Sequence, residues 1–236
     1  MAATTPSFRR YALYFVPEHS AFAAFGASWL GWDIVTGQTE PHPQIPNLPL
    51  DISEITETPR RYGLHGTIVP PFRFKSNHCF TDVVQDIASE CEKLAPAPLA
   101  GLELVQLGRF LALVPMGDTA ALGTLAAKVL QACDPFRAPL STADLERHRA
   151  KGLSDQQDAL LMRWGYPYVM EAFRFHITLT GKLSKTQARL TYEVLSPLLT
   201  PLLDGALVID RLALVGEDDA GSFHLISQFP LKGAAA

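Results

Sequence analysis

Leu64-His65-Gly66-Thr67-Ile68-Val69 and Phe175-His176-Ile177-Thr178-Leu179-Thr180 are the two stretches that decide the reading of this chain. Each carries His-x-Thr inside an apolar, strand-like run. In a strand, residues i and i+2 share a face, so each copy sets an imidazole beside a hydroxyl. The residues around them extend the pattern. Arg61, Gly63, His65 and Thr67 share one parity, as do Arg174, His176, Thr178 and Thr180. Tyr62, Leu64 and Ile68 hold the opposite parity in the first copy, and Phe175, Ile177 and Leu179 in the second. This is the signature of a half-buried strand, apolar toward a core and polar toward a cleft. Two imidazoles can divide proton transfer, one taking and one giving, and two hydroxyls can hold an anion between them.

Working outward, Arg9–Val16 reads as a first strand ended by Pro17, and Glu18–Trp32 as a helix. Thr36–Pro59 is a long Pro-rich connection in which His42 reads as an exposed loop residue. Pro70-Pro71 is expected to stop the first motif strand, because neither residue donates to a ladder. Phe80–Leu94 and Thr119–Ala132 read as helices, and Gly101–Pro115 as two strands meeting near Gly108-Arg109. Ser141 with Asp144, Ser154 with Gln157 and Ser184 with Gln187 mark three helix starts. His148 reads as lying on a solvated helix face. The second motif strand is expected over Ala172–Thr180. Ala206–Val215 and Ser222–Phe229 make a last strand pair, and Lys232–Ala236 reads as a disordered tail.

The halves rhyme: each has a His-x-Thr strand, then a helix, then two strands, with the motif histidines 111 positions apart (176 − 65). This order suggests an internal duplication with pseudo-two-fold symmetry and both motif strands flanking one groove.

Composition narrows the function classes. The chain has 236 residues, 47% of them hydrophobic, enough for one large domain or two small lobes and too apolar for disorder. A formal charge of -4 gives no global basic field for long nucleic acid, although a short anion in a cationic cleft remains open. Cys79, Cys91 and Cys133 show no CxxC spacing and read as reduced thiols, packed as small core residues. The opening Met1–Pro6 does not read as a secretory signal and no run of 18 apolar residues exists, so a cytoplasmic, non-membrane protein is expected. There is no HExxH, HxH or Cys/His cluster for a metal, and no GxSxG elbow for serine chemistry.

Taken with its motifs, the chain resembles the two-histidine (2H) phosphoesterase superfamily. Arg61–Phe72 (RYGLHGTIVPPF), Arg163–Gly181 (RWGYPYVMEAFRFHITLTG) and Arg9–Pro17 (RRYALYFVP) are similar to its branch of phosphonate-operon-associated proteins of unknown function. The resemblance implies one bilobal α+β domain over residues 1–236, with two antiparallel sheets facing a central groove and helices outside. It implies metal-independent hydrolysis of a small cyclic phosphodiester, a sugar cyclic phosphate of phosphonate metabolism among the candidates, with no cofactor. His65 and His176 match the acid–base pair, and Thr67 and Thr178 the phosphate-binding hydroxyls. Arg61, Arg174, Tyr166 and Tyr168 are candidate substrate contacts. The branch leads us to expect a basic residue where this chain has Val69, a charge that Arg61, Arg73 or Lys75 would have to supply. Two other readings stay open: an RNA-end enzyme acting on 2′,3′-cyclic phosphates or joining ends, and a non-catalytic module sensing a phosphorylated metabolite. The sequence fixes neither the oligomeric state nor which histidine is the base.

Overall fold

Apolar residues on both parities of Arg10–Phe15 (β1) place that strand at the centre of the molecule. Leu13 and Phe15 enter the main core, while Ala12, Tyr14 and Val16 form a second cluster on the other face. Successive strand side chains point to opposite faces, so β1 is buried on both. The computed structural model describes residues 8–203 and 205–234. After β1 come helices α1 (Ala21–Leu30), α2 (Ile52–Ile55) and α3 (Glu57–Arg60), then β2 (Gly66–Phe72), α4 (Phe80–Glu92), β3 (Ala97–Leu99), β4 (Leu102–Leu107) and β5 (Phe110–Pro115). The second half runs through α5 (Ala120–Cys133), α6 (Thr142–Arg149), α7 (Asp155–Trp164), β6 (Ile177–Thr178), α8 (Lys185–Leu199), β7 (Leu207–Ile209), β8 (Arg211–Glu217) and β9 (Phe223–Pro230).

Seven strands make one antiparallel sheet in the order β4-β5-β6-β2-β1-β8-β9, and β3 pairs with β7 in a small second sheet. The class is α+β, as the sequence indicates. The expectation of two sheets facing across a groove needs correction: both motif strands lie side by side in the large sheet. The element order does repeat, motif strand, helix, short strand, hairpin. The sheet is nevertheless uneven about the β2–β6 seam, because β1 stands between β2 and β8 whereas β5 pairs with β6 directly. A duplication in space is therefore not established.

Local chemistry explains several boundaries. All three Ser-led helix starts are reciprocal capping boxes, at Ser141/Asp144, Ser154/Gln157 and Ser184/Gln187. The first motif strand does not stop at Pro70. It continues to Phe72 by bulging: register shifts between Tyr11 and Leu13, and between Leu13 and Tyr14, leave extra β2 residues opposite β1. Bulges are where a strand accepts proline. They also turn Val69 onto the face of Leu13, its partner, where it is buried in the core. Val69 also borders the cavity described below, where it supplies an apolar rather than a charged surface. The second motif strand is shorter than expected. Only Ile177–Thr178 are paired as strand, and a 3₁₀ turn, Met170–Ala172, occupies its anticipated start.

The Pro-rich connection is folded rather than free, holding α2 and α3. His42 is not an exposed loop residue. Its Nδ1 lies 3.1 Å from the carbonyls of both Ser28 and Trp29, and its Nε2 lies 3.2 Å from the Arg60 guanidinium. This clips the connection to the end of α1. Cys91 and Cys133 are buried as expected, but Cys79 is exposed. Of the expected tail, Lys232 pairs with Glu92 and Gly233 donates to the Leu94 carbonyl, so the chain is tied down there. Residues 235–236 lie outside the described residues, as do Met1–Pro6. Among the described residues no helix is long and apolar enough to cross a membrane.

Candidate active site

The seam between β2 and β6 sets the site. Gly66 pairs with Ile177 in antiparallel register, so His65 falls opposite Thr178 and Thr67 opposite His176. The four side chains thus stand on one face, two and two across adjacent strands. Alternation sends their neighbours the other way: Leu64, Ile68, Phe175, Ile177 and Leu179 are in the main core. Gly66 has a direct role in this seam. A Cβ there would overlap the Phe175 ring, so the missing side chain lets the residue before His176 pack onto the strand of His65.

Both imidazoles are oriented in the same way. His65 Nδ1 lies 3.0 Å from the Gly63 carbonyl, and His176 Nδ1 lies 2.9 Å from the Arg174 carbonyl, in each case two residues back. A carbonyl only accepts, so Nδ1 carries the proton in both and Nε2 is the free nitrogen. His65 Nε2 lies 3.2 Å from Thr67 Oγ1.

The surroundings of the two rings differ. His65 lies against Tyr14 with centroids 4.0 Å apart and near Tyr62 at 5.7 Å. Burial pushes its pKa down to about 4, against a raising effect of the Gly63 carbonyl, and positive charge on His176 lowers it further. His65 is therefore neutral at pH 7. His176 is partly exposed and has one aromatic neighbour, Phe110 at 5.9 Å.

A cavity of about 700 Å³ opens on this face, its wall including His65, Thr67, Thr178, Arg61 and Tyr166. His176 stands outside that wall, beside Thr178. Two expected contacts are not brought in. Arg174 donates to the backbone carbonyls of Glu171 and Phe173, and Tyr168 is exposed. Neither lines the cavity.

Several cavity residues escaped the sequence reading. Tyr14 and Tyr62 pack His65, and β1 parity alone did not reveal that one of its faces borders a site. Arg10, held to Glu217 by a 2.7 Å bond, lines the cavity as well. His148 is not on a solvated face. It is half-buried in the cavity wall, edge-on to Tyr166 at 5.5 Å. The run Glu146-Arg147-His148-Arg149 looks like any charged helix surface, and only its docking distinguishes it. The basic density of that run was the one signal present.

A family model described as a protein of unknown function (DUF1045) matches residues 67–224. The chain belongs to this family. That agrees with the branch of unknown function that the sequence resembles. Two curated relatives carry the name ribose 1,5-bisphosphate phosphokinase PhnN. The one from Janthinobacterium sp. (strain Marseille) is 36% identical over 193 residues, 81% of this chain and 43% of the relative. The one from Laribacter hongkongensis (strain HLHK9) is 31% identical over 221 residues, 90% of this chain and 49% of the relative. The chain thus spans less than half the length of these relatives. Similar solved structures include a phosphoesterase (12% identity, TM-score 0.45, 95% of this chain and 99% of that one). Escherichia coli LigT complexed with NADP+ gives 9% identity and a TM-score of 0.46 over 96% and 99% of the two chains. Kluyveromyces marxianus Usb1 gives 12% and 0.40 over 95% and 99%.

Proposed function

We propose that this protein is a phosphoesterase that hydrolyses a small cyclic phosphodiester by paired-histidine acid–base chemistry. The observation that carries the proposal is the β2–β6 register, which lays two imidazoles and two hydroxyls together on one sheet face, with each Nδ1 held by a backbone carbonyl and each Nε2 left for side-chain or substrate partners. A phosphodiester set over that face has a proton acceptor and a proton donor on neighbouring strands.

The unequal environments divide the roles. His65, held neutral by burial, accepts the proton of the attacking water at Nε2. His176, more open to solvent, is the partner that gives a proton to the departing ester oxygen. One P–O bond forms to water as the ring P–O bond breaks, and the two histidines exchange charge states before the next turnover. Thr67 and Thr178 donate to the non-bridging oxygens as charge gathers there. In the free protein Thr67 Oγ1 donates to His65 Nε2, and substrate redirects that hydroxyl.

The substrate class follows from shape and charge. A cavity of about 700 Å³ suits a small molecule. The relatives' printed name concerns a phosphorylated ribose, which favours a sugar cyclic phosphate over a nucleic-acid end. The test is turnover of ribose 1,2-cyclic and nucleoside 2′,3′-cyclic phosphates with EDTA present, using His65→Ala and His176→Ala as controls. Release of a phosphomonoester that both substitutions abolish supports the proposal. No turnover of any cyclic phosphate, or turnover indifferent to both histidines, refutes it.

A further inference from the structure

The part of the cavity wall farthest along β2 from the His-x-Thr pairs is built of cations that the proposed chemistry does not use. Seven Arg and Lys side chains line the whole cavity against three carboxylates, in a protein whose net charge is -4. Half of that excess of four lies where α6 meets the end of β2, on Arg73, Arg147 and Lys151 against Asp144. Arg73 and Arg147 both bond Asp144, at 2.9 Å and 2.6 Å, and Ser141 Oγ donates to the same carboxylate at 2.8 Å. Asp144 is buried, whereas the Arg73 and Arg147 side chains are 53% and 61% exposed. Hydrogen bonds from Ser141, Arg147 and Arg73 hold the Asp144 carboxyl well below the usual carboxylate range, so it stays ionised. One carboxylate cannot neutralise two guanidinium groups. It fixes them in place and leaves a net positive charge facing the cavity, to which Lys151 adds. His148 stands beside them as a further polar group, its pKa lowered by burial and by Lys151 and Arg147.

The separation can be read from the register. Tyr14 pairs with Thr67 and Tyr11 with Phe72, so the end of β2 lies three β1 residues from the threonine, about 10 Å at the usual strand rise. Tyr166 lines the cavity with an aromatic surface. An anion-binding group toward each end of β2, along one small cavity, describes a ligand with two anionic ends.

The geometry points to a second anion-binding subsite formed by Arg73, Arg147 and Lys151, and hence to a substrate that bears a terminal phosphate besides its cyclic phosphodiester. This rests on the proposed phosphoesterase reading for the first subsite only. The second is defined by its own residues.

The test uses a matched pair, ribose 1,2-cyclic phosphate with and without a 5-phosphate. A charge-assisted contact to phosphate is worth about tenfold or more in affinity. The wild type is expected to prefer the 5-phosphorylated compound at least tenfold in kcat/KM, and Arg147→Gln and Lys151→Gln each to cut that preference severalfold. Both side chains are exposed enough to replace without disturbing the core. In parallel, calorimetry with ribose 5-phosphate, which has no cyclic bond, measures the subsite without catalysis. Binding that weakens in Arg147→Gln sustains the subsite even if neither compound is turned over, in which case the phosphoesterase reading alone falls. Equal turnover of both compounds, with ribose 5-phosphate binding absent or unaffected by either substitution, overturns the subsite and leaves the phosphoesterase reading standing.

Discussion

The two His-x-Thr segments share a sequence and a backbone hydrogen bond but not an environment. His65 immediately precedes a seven-residue strand paired on both sides, lies against Tyr14 and is held neutral down to about pH 4. His176 follows a 3₁₀ turn, immediately precedes a strand of two residues and remains partly exposed. In both, Nδ1 is tied to the carbonyl two residues back, so orientation is common and burial is not. In the proposed chemistry the burial of His65 is what would set the base apart from its partner. The motif supplies the side chains, and the neighbouring strands, β1 on one side and β5 on the other, give them unlike surroundings.

The harshest test of that division is to remove each ring in turn. His65→Ala and His176→Ala should each lower kcat by about 10²–10⁴ on a cyclic phosphate while circular dichroism stays native. Because the pair acts as a unit, the double variant should be scarcely worse than the worse single one. Fully multiplicative losses would break the picture of one shared proton circuit. Next in size are the hydroxyls: Thr67→Val and Thr178→Val should each cost about 10²–10³ in kcat if both donate to the charged transition state. A large loss for one alone would show that phosphate sits on a single strand.

How much of this was legible beforehand depends on the range of the interaction that fixes each feature. The i, i+2 placement of His65 with Thr67 and of His176 with Thr178 is local, and the alternation of Phe175, Ile177 and Leu179 announced which face was buried. The capping boxes at Ser141, Ser154 and Ser184 are local too, and all three formed. Register is not local. Nothing in either motif says that Gly66 will meet Ile177, and so the strands were expected on facing sheets when they are neighbours in one. The orientation of Val69 is hidden for the same reason, because the bulge at Ile68 shows only against β1. His42 and His148 read as exposed in sequence because a polar residue in a loop or charged helix looks so until its long-range partner is known. Those partners are Ser28, Trp29 and Arg60 for the first and Tyr166 for the second.

A smaller effect sharpens the contrast through pH. The folded pKa of His65, about 4, lies below the unfolded value of about 6.5. Between those values the unfolded chain binds the extra proton and the folded chain does not, so stability falls as pH is lowered. The His65 contribution is therefore complete above about pH 6.5 and is lost progressively toward pH 4. Melting temperatures measured from pH 7 to 4.5 should fall more steeply in the wild type than in His65→Gln, which has no such group to protonate. If the two slopes coincide, burial does not depress the His65 pKa, and the assignment of His65 as the base loses its physical cause. The acid limb of kcat/KM offers a kinetic version: a free-enzyme base with this pKa keeps its activity well below pH 6.5.

The smallest expected effect compares the arginines upstream of each histidine, four residues before His65 and two before His176. By sequence, Arg61 and Arg174 hold similar places upstream of their histidines, and sequence alone treats them alike. The structure does not. Arg61 lines the cavity, while the Arg174 guanidinium is spent on the Glu171 and Phe173 carbonyls outside it. Arg61→Gln should therefore raise KM by about tenfold with little change in kcat, as expected for a contact made equally in ground and transition states. Arg174→Gln should stay within about twofold of wild type in both constants, as for a surface substitution away from the reacting groups. A KM effect at Arg174 equal to that at Arg61 would mean that substrate draws the second run inward on binding. The open, two-residue strand at His176 would then be a mobile half of the site, closing onto the fixed half built around His65.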